Sequence, residues 1–398
     1  MTPPARSLSS LAVHAGRDDL TALGVHTMPV DLSTTSPLAS IEAGRDAYDT
    51  LAAGQRPGPG MSSVYRRAWN PTVARFEDAL AALEGYSPDG EGLEVEAVAF
   101  ASGMAAITAV LHSRVAAGLP HVVAVRPLYG GTDALLASGL LGTEVSFVEA
   151  GDVAAAVGPR TGLVVIESPG NPTLDLVDIA AVAAAAGEVP VLVDNTFATP
   201  VLQRPLHLGA AYVVHSATKY IGCHGDAMGG IVAASPERIA GLRPIRTITG
   251  GVMDPWTAYL LHRGLATLPV RMLAQQATAG EVAQWLSQRD EVAAVLYPGL
   301  PGRDPAGLVG RQMSGPGAMV AFELAGGFAA AERVCARLRM ITHAVSLGGV
   351  DTLVEHPAGL THRVVAAEAQ PGAGVLRLSI GLESATDLVA DLDQALEG

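Results

Sequence analysis

The stretch His215-Ser-Ala-Thr-Lys-Tyr220 brings a lysine and two hydroxyl side chains together directly after a run of strand formers, Ala211-Tyr-Val-Val-His215. A compact run of this kind reads as a buried strand. A lysine at the carboxyl end of such a strand stands where sites in α/β sheets lie. Apolar neighbours strip part of the ammonium's hydration and favour the neutral amine, which can attack an aldehyde to form a Schiff base. Pyridoxal phosphate is the aldehyde that the flanking residues suit, since Ser216 and Thr218 could offer hydroxyl donors to its phosphate. A lysine after a strand can also be an ordinary surface charge, so Lys219 needs support from other residues.

Several other positions could supply that support. Ala97-Val-Ala-Phe-Ala turns through Ser102-Gly-Met104 directly into a helical run. The unpaired amides of a first helical turn, with the dipole behind them and a glycine permitting close approach, suit an anion; the serine could also be a plain N-cap. Asp194 ends the strand Val191-Leu-Val-Asp194, where it could pair with a protonated pyridine nitrogen or cap the next turn. Tyr129, beside Gly130 and Gly131 after the strand His121–Arg126, could stack on a planar ring. A buried-type strand from Gly162 leads into a proline-punctuated loop carrying Glu167 and Asn171. Tyr65 and Arg67 precede a helix from Val73 to Glu84 with Asn70 or Thr72 near its start; a guanidinium and a phenol could clamp a phosphate. Arg377 shares a face with Ser379 in the strand-like Gly374–Gly381 and needs an anion there, either a substrate carboxylate or a structural partner. Cys223, His224 and Asp226 lack a second cluster of suitable spacing, so no metal site is expected.

The elements that must position these residues alternate strand and helix from about Ala97 to Ala234, which implies an α/β fold with a mostly parallel sheet covered on both faces. A helical stretch from about Pro255 to Leu286 carries the chain into an α+β remainder. The sequence before Gly60 reads as an arm, so the expected division is 1–60 arm, 61–255 cofactor-binding domain and 256–398 C-terminal domain. At 398 residues the chain exceeds one ordinary core. A net charge of −14 argues against nucleic acid and anionic membrane as partners. Two cysteines, no secretory signal and no uninterrupted apolar span point to a cytoplasmic protein.

Together these residues resemble the pyridoxal-phosphate trans-sulfuration family, the Cys/Met metabolism enzymes. The resemblance runs from about Leu11 to Leu396 and rests on an ordered set of motifs: Y-x-R…N-P-T, S-G-M-A-A, Y-G-G-T, E-S-P-x-N-P, V-D-N-T-F-x-T-P, H-S-A-T-K-Y, S-L-G-G and R-L-S-x-G. It implies the aspartate-aminotransferase type of fold, with a smaller C-terminal α+β domain. It further implies that Lys219 holds pyridoxal 5'-phosphate and acts as the base, that Asp194 faces the ring nitrogen, and that Tyr129 stacks on the ring and assists the leaving group. Gly103 and Met104 amides and the Ser216 and Thr218 hydroxyls would hold the phosphate, joined by Tyr65 and Arg67 from the neighbouring subunit of a homotetramer. Asn171, Ser346 and Arg377 would hold the cofactor's phenolic edge and the carboxylate of a small amino-acid substrate.

The implied chemistry is γ-elimination, ahead of γ-replacement, on cystathionine or a homoserine-derived compound. Methionine γ-lyases usually carry a cysteine after Y-G, where this chain has Gly131, which places methionine lower. Asp351 replaces the usual glutamate after S-L-G-G-V at a position that could touch the distal part of a substrate. With Cys223 and Trp69 it leaves open a specialised γ-lyase for a halogenated or unsaturated amino acid. A catalytically inactive binding module is the non-enzyme alternative, and an aminotransferase would share the fold. Retention of Lys219, Asp194, Tyr129 and Arg377 together argues against the inactive module, which needs no electron sink.

Overall fold

The computed structural model describes residues 6–363 and 365–397. Its larger sheet is built from β1 (Glu96–Phe100), β2 (His121–Val125), β3 (Glu144–Val148), β4 (Thr161–Glu167), β5 (Val191–Asp194), β6 (Tyr212–Ser216) and β7 (Gly230–Ala234). A smaller sheet follows from β8 (Val292–Leu296), β9 (Met319–Leu324), β10 (Thr342–His343), β11 (Leu353–Glu355) and β12 (Val375–Ser379). The fold is α/β, as the alternation of strand and helix implies. The chain divides into two compact units, Met1–Pro120 with Ala211–Pro269, and His121–Ala210 with Val270–Gly398.

In the first unit β7 lies between β1 and β6 and runs antiparallel to both. These pairings make the larger sheet mixed rather than wholly parallel. Phe100 and Ser216 both face Gly230 in register, so the two strands that lead into the serine-glycine turn and the lysine turn end at one level. Gly230 admits no side chain there, because a Cβ would lie 2.1 Å from the Ser102 carbonyl oxygen. The helix Pro71–Glu84 begins where its signals place it: Asn70 Oδ1 accepts from the amides of Thr72 and Val73, and proline opens the first turn. Phe76, Leu80 and Leu83 bury its apolar stripe. The sequence before Gly60 is not all loop, for it contains the helices Leu8–His14 and Ile41–Ala52, the second burying only Gly44 and Ala47. The helical stretch expected over Pro255–Leu286 is two helices, Pro255–Leu265 and Leu268–Leu286.

In the second unit β5, β4, β2 and β3 form a parallel array in that order. β4 is buried along its whole length, as a strand covered on both faces must be. Glu167 and Asp194 end up side by side in register at its carboxyl edge. The smaller sheet has the order β10-β11-β12-β9-β8 and is antiparallel except at β10 and β11. Phe322, Leu376, Leu378 and Val354 from this sheet pack with Leu388 and Leu392 of the helix Ala385–Leu396. Every residue of β12 is buried, so the guanidinium of Arg377 sits deep in a unit that must supply its counter-charge. Among the described residues no helix is long and apolar enough to cross a membrane.

Candidate active site

In the first unit, Lys219 lies half-buried in the turn that follows β6. Its amide donates to the Ser216 carbonyl at 3.1 Å and its own carbonyl accepts from Cys223 N at 2.8 Å. Cys223 takes a left-handed φ of 69° to make this turn, a conformation uncommon for a non-glycine residue. Opposite stands the helix Gly103–Ala116. Ser102 Oγ accepts from Ala105 N at 3.1 Å and so caps it, leaving the Gly103 and Met104 amides as first-turn donors without intrahelical acceptors. Gly103 and Ser216 approach so closely that a Cβ on Gly103 would be 3.0 Å from Ser216 Cβ and 3.2 Å from its hydroxyl oxygen. Helix amides, a serine hydroxyl and a lysine are thus gathered at one end of β6.

Thr218 belongs to the same turn, but its hydroxyl is occupied within the fold. It donates to the Gly229 carbonyl at 3.2 Å and accepts from Gly229 N at 3.0 Å. Tyr65 and Arg67 are exposed. Arg67 donates to the Thr247 carbonyl at 2.6 Å and its guanidinium lies 5.7 Å from the Tyr65 ring centroid. They form a surface pair rather than part of the cluster around Ser216.

The second unit gathers the remaining residues. Asp194 Oδ1 accepts from the amide and hydroxyl of Thr196 at 3.0 and 2.6 Å, so this carboxylate does organise the following turn. Beside it, the buried Glu167 accepts from Tyr129 N at 2.6 Å. Burial, and then the neighbouring Asp194 charge, push the Glu167 carboxyl well above the ordinary carboxylate range. Tyr129 precedes the helix Gly130–Ser138 and is partly exposed. A Cβ on Gly131 would come within 2.5 Å of its ring, so the ring rests on that glycine. Arg377 donates to Asn171 Oδ1 at 2.7 Å, to the Ser346 carbonyl at 3.2 Å, and to Glu355. Ser346 holds a φ of 100° to present that carbonyl, the kind of sparsely populated conformation that clusters at functional sites. Asp351 lies exposed in the turn beyond Gly349.

In the first unit, a strand-end lysine beside a helix-terminus anion cradle faced by a hydroxyl suits an aldehyde that carries a phosphate, as pyridoxal phosphate does. The close approach of Gly103 to Ser216 is the observation that fits the cofactor's phosphate, because a side chain there would fill the cradle. The family described as Cys/Met metabolism PLP-dependent enzyme matches residues 9–397, and this chain belongs to it. Pyridoxal phosphate is accordingly its cofactor. The chain is 58% identical over 388 residues to an L-methionine gamma-lyase of Brevibacterium sandarakinum, covering 98% of this chain and 97% of that one. It is 53% identical over 398 residues to an L-methionine gamma-lyase of Streptomyces avermitilis, covering 99% and 90%. Among solved structures it resembles a cystathionine gamma lyase (CalE6) of Micromonospora echinospora, with 37% identity, TM-score 0.86 and coverage of 99% and 100%. It is also similar to metB of Corynebacterium glutamicum, with 36% identity, TM-score 0.88 and coverage of 100% and 99%.

Sequence reasoning passed over the partners of these residues. Glu167 reads only as part of a loop, and Glu355, Thr361 and His362 attract no notice. The available signal was Arg377 itself: a guanidinium inside a buried strand demands a carboxylate, and Glu355 faces it directly across the β11–β12 pair.

Proposed function

We propose that this enzyme catalyses γ-elimination from L-methionine, releasing methanethiol, 2-oxobutanoate and ammonia. Identity above half over almost the whole chain to two proteins named L-methionine gamma-lyase supports γ-elimination on a sulfur amino acid and carries the choice of substrate. Gly131 argues for cystathionine over methionine, and this likeness outweighs that single position. Bound at Lys219, pyridoxal phosphate supplies an electron-withdrawing ring over which negative charge at a substrate's α- and β-carbons can spread. Arg377 receives the substrate carboxylate. The Lys219 amine would hold the cofactor and would also move the protons at the substrate's α- and β-carbons. Asp194 holds a proton at the ring nitrogen, and its own place is fixed by Thr196. The Tyr129 phenol delivers a proton to the departing sulfur. Gly103 and Met104 amides with the Ser216 hydroxyl bind the phosphate, while Thr218 steadies the turn through Gly229.

We assign residues 1–60 to an arm, 61–255 to cofactor binding and 256–398 to the C-terminal domain, in a cytoplasmic homotetramer whose sites are shared between subunits. The exposure of Tyr65 and Arg67, which lie outside the Ser216 cluster, supports their service to a neighbouring copy. Asp351 is assigned to the mouth of the site, near the distal part of the substrate.

The test is product analysis of the cofactor-loaded enzyme with L-methionine, L-cystathionine and O-acetylhomoserine plus cysteine, with Lys219→Ala as control. Methanethiol and 2-oxobutanoate from methionine, lost in the control, are the expected result. Turnover of cystathionine alone would overturn the substrate, and formation of cystathionine from the ester would overturn elimination as the main reaction.

A further inference from the structure

Around Arg377 the second unit closes a ring of contacts. Arg377 Nη1 donates to Asn171 Oδ1 at 2.7 Å and Nη2 donates to Glu355 Oε2. The other Glu355 oxygen accepts from the Thr361 hydroxyl. That hydroxyl lies 3.1 Å from His362 Nδ1, and His362 Nε2 donates to the Asn171 main-chain carbonyl at 3.1 Å, returning to the starting residue. Asn171, Glu355, His362 and Arg377 are each at least 97% buried. The ring also reaches the segment that carries Tyr129, since a Cβ on Gly130 would lie 2.1 Å from the Thr361 carbonyl oxygen.

A buried ion pair alone is a weak stabiliser, because desolvation of both charges offsets their attraction. Its geometric effect is larger. A guanidinium carries its N–H donors in one fixed plane, so acceptors on two of its nitrogens dictate the heading of the whole group. Glu355 and Asn171 are those acceptors, and Thr361 and His362 hold them in turn. The Thr361 hydroxyl also draws on the Glu355 charge, which lessens its repulsion towards a second carboxylate brought to the same arginine. Burial pulls the His362 pKa below its ordinary value, which keeps the imidazole neutral with its proton on the nitrogen that faces Asn171.

We propose that Glu355, Thr361 and His362 are positioning residues that aim Arg377 at the α-carboxylate of the amino-acid substrate. This rests on the assignment of Arg377 as the carboxylate-binding residue, and the test separates the two. The cofactor-loaded variants Thr361→Val, Thr361→Ser, His362→Gln and Arg377→Lys are compared with the wild type. Readouts are KM and kcat for whichever of L-methionine and L-cystathionine is turned over. The inhibition constants of 4-(methylsulfanyl)butanoate and its amide complete the set.

Thr361→Val keeps the shape and removes the hydroxyl, so KM and the inhibition constant of the carboxylate should rise roughly tenfold, as expected for one charge-assisted hydrogen bond. The amide should bind as before, kcat should stay within about threefold, and Thr361→Ser should restore the wild-type values. His362→Gln should behave like Thr361→Val; if it does not fold, the valine and serine pair decides. If Arg377→Lys weakens the carboxylate but Thr361→Val does not, the ring has no positioning role. A loss of kcat and of amide binding in equal measure would also overturn it, as general damage. If Arg377→Lys leaves carboxylate binding unchanged, the Arg377 assignment itself fails.

Discussion

Glu167 separates the value of a hydrogen-bond acceptor from the value of a charge. It lies buried at the end of β4, accepts the Tyr129 amide at 2.6 Å and stands beside Asp194. Alanine at this position removes the acceptor of the part-buried Tyr129 N–H, at about 1 kcal/mol. It also removes one buried methylene, at about 0.8 kcal/mol, so a total loss of about 2 kcal/mol is expected. Glutamine keeps an acceptor oxygen and cannot ionise. The folded wild type holds the Glu167 proton to a pH well above the ordinary value of 4.5 at which the unfolded chain releases it. Its contribution is therefore complete below that value and declines as pH rises, by up to about 1.4 kcal/mol per pH unit until the folded group ionises. Glu167→Gln escapes this decline, so its stability relative to the wild type should improve steadily from pH 4.5 towards neutrality. Urea unfolding of wild type, Glu167→Gln and Glu167→Ala across that range measures both effects. In turnover, Glu167→Ala should lose roughly tenfold or more in kcat because Tyr129 loses its anchor, and Glu167→Gln should stay within about threefold. A glutamine variant as damaged as the alanine one, or a stability difference that does not grow with pH, would refute the reasoning.

Two further outcomes follow from the buried charges and thiols. Arg246 pairs with the buried Glu77 at 2.7 Å and also donates to the carbonyls of Ala99 and Ala68. Arg246→Met leaves an uncompensated carboxylate and should cost about 3–5 kcal/mol in denaturant unfolding, with much of the loss recovered in the double variant that adds Glu77→Gln. Burial pushes the Cys335 thiol up to about 11, and Cys223 is buried in the turn after Lys219. Iodoacetamide at pH 7.5 should therefore spare activity and label these cysteines only after unfolding, as read by mass spectrometry; rapid inactivation would contradict the burial of Cys223.

The legible parts of the sequence are those with strong local signals. The strand Val191–Asp194 has the bounds its residues suggest, and Asn70 caps its helix through its own side chain. The helix Ile41–Ala52 does carry Ile41, Tyr48 and Leu51 at helical spacing, but it lies among proline- and glycine-rich stretches and leaves Ile41 and Tyr48 exposed, so it reads as part of the arm. Pro244 inside the helix Pro236–Thr249 conceals another. The antiparallel direction of β7 is a matter of long-range pairing that no local pattern records. The chemistry divides in the same way. Residue types announce Lys219, Asp194 and Arg377, but the partner of Arg377 is fixed by the register of two strands, and that of Tyr129 by the end of a third. The Thr218 hydroxyl, read as a phosphate ligand, turns out to be engaged with Gly229, which only the path of the returning chain decides.

The pairing of Arg377 with Glu355 bears on life in a crowded metabolite pool. An arginine with no internal partner would attract every small organic acid in its surroundings and would spend much of its time blocked. With one carboxylate already built in, Arg377 offers a passing acid only a modest gain. How strongly this arginine answers to any small anion is thus written into the pairing of two short strands.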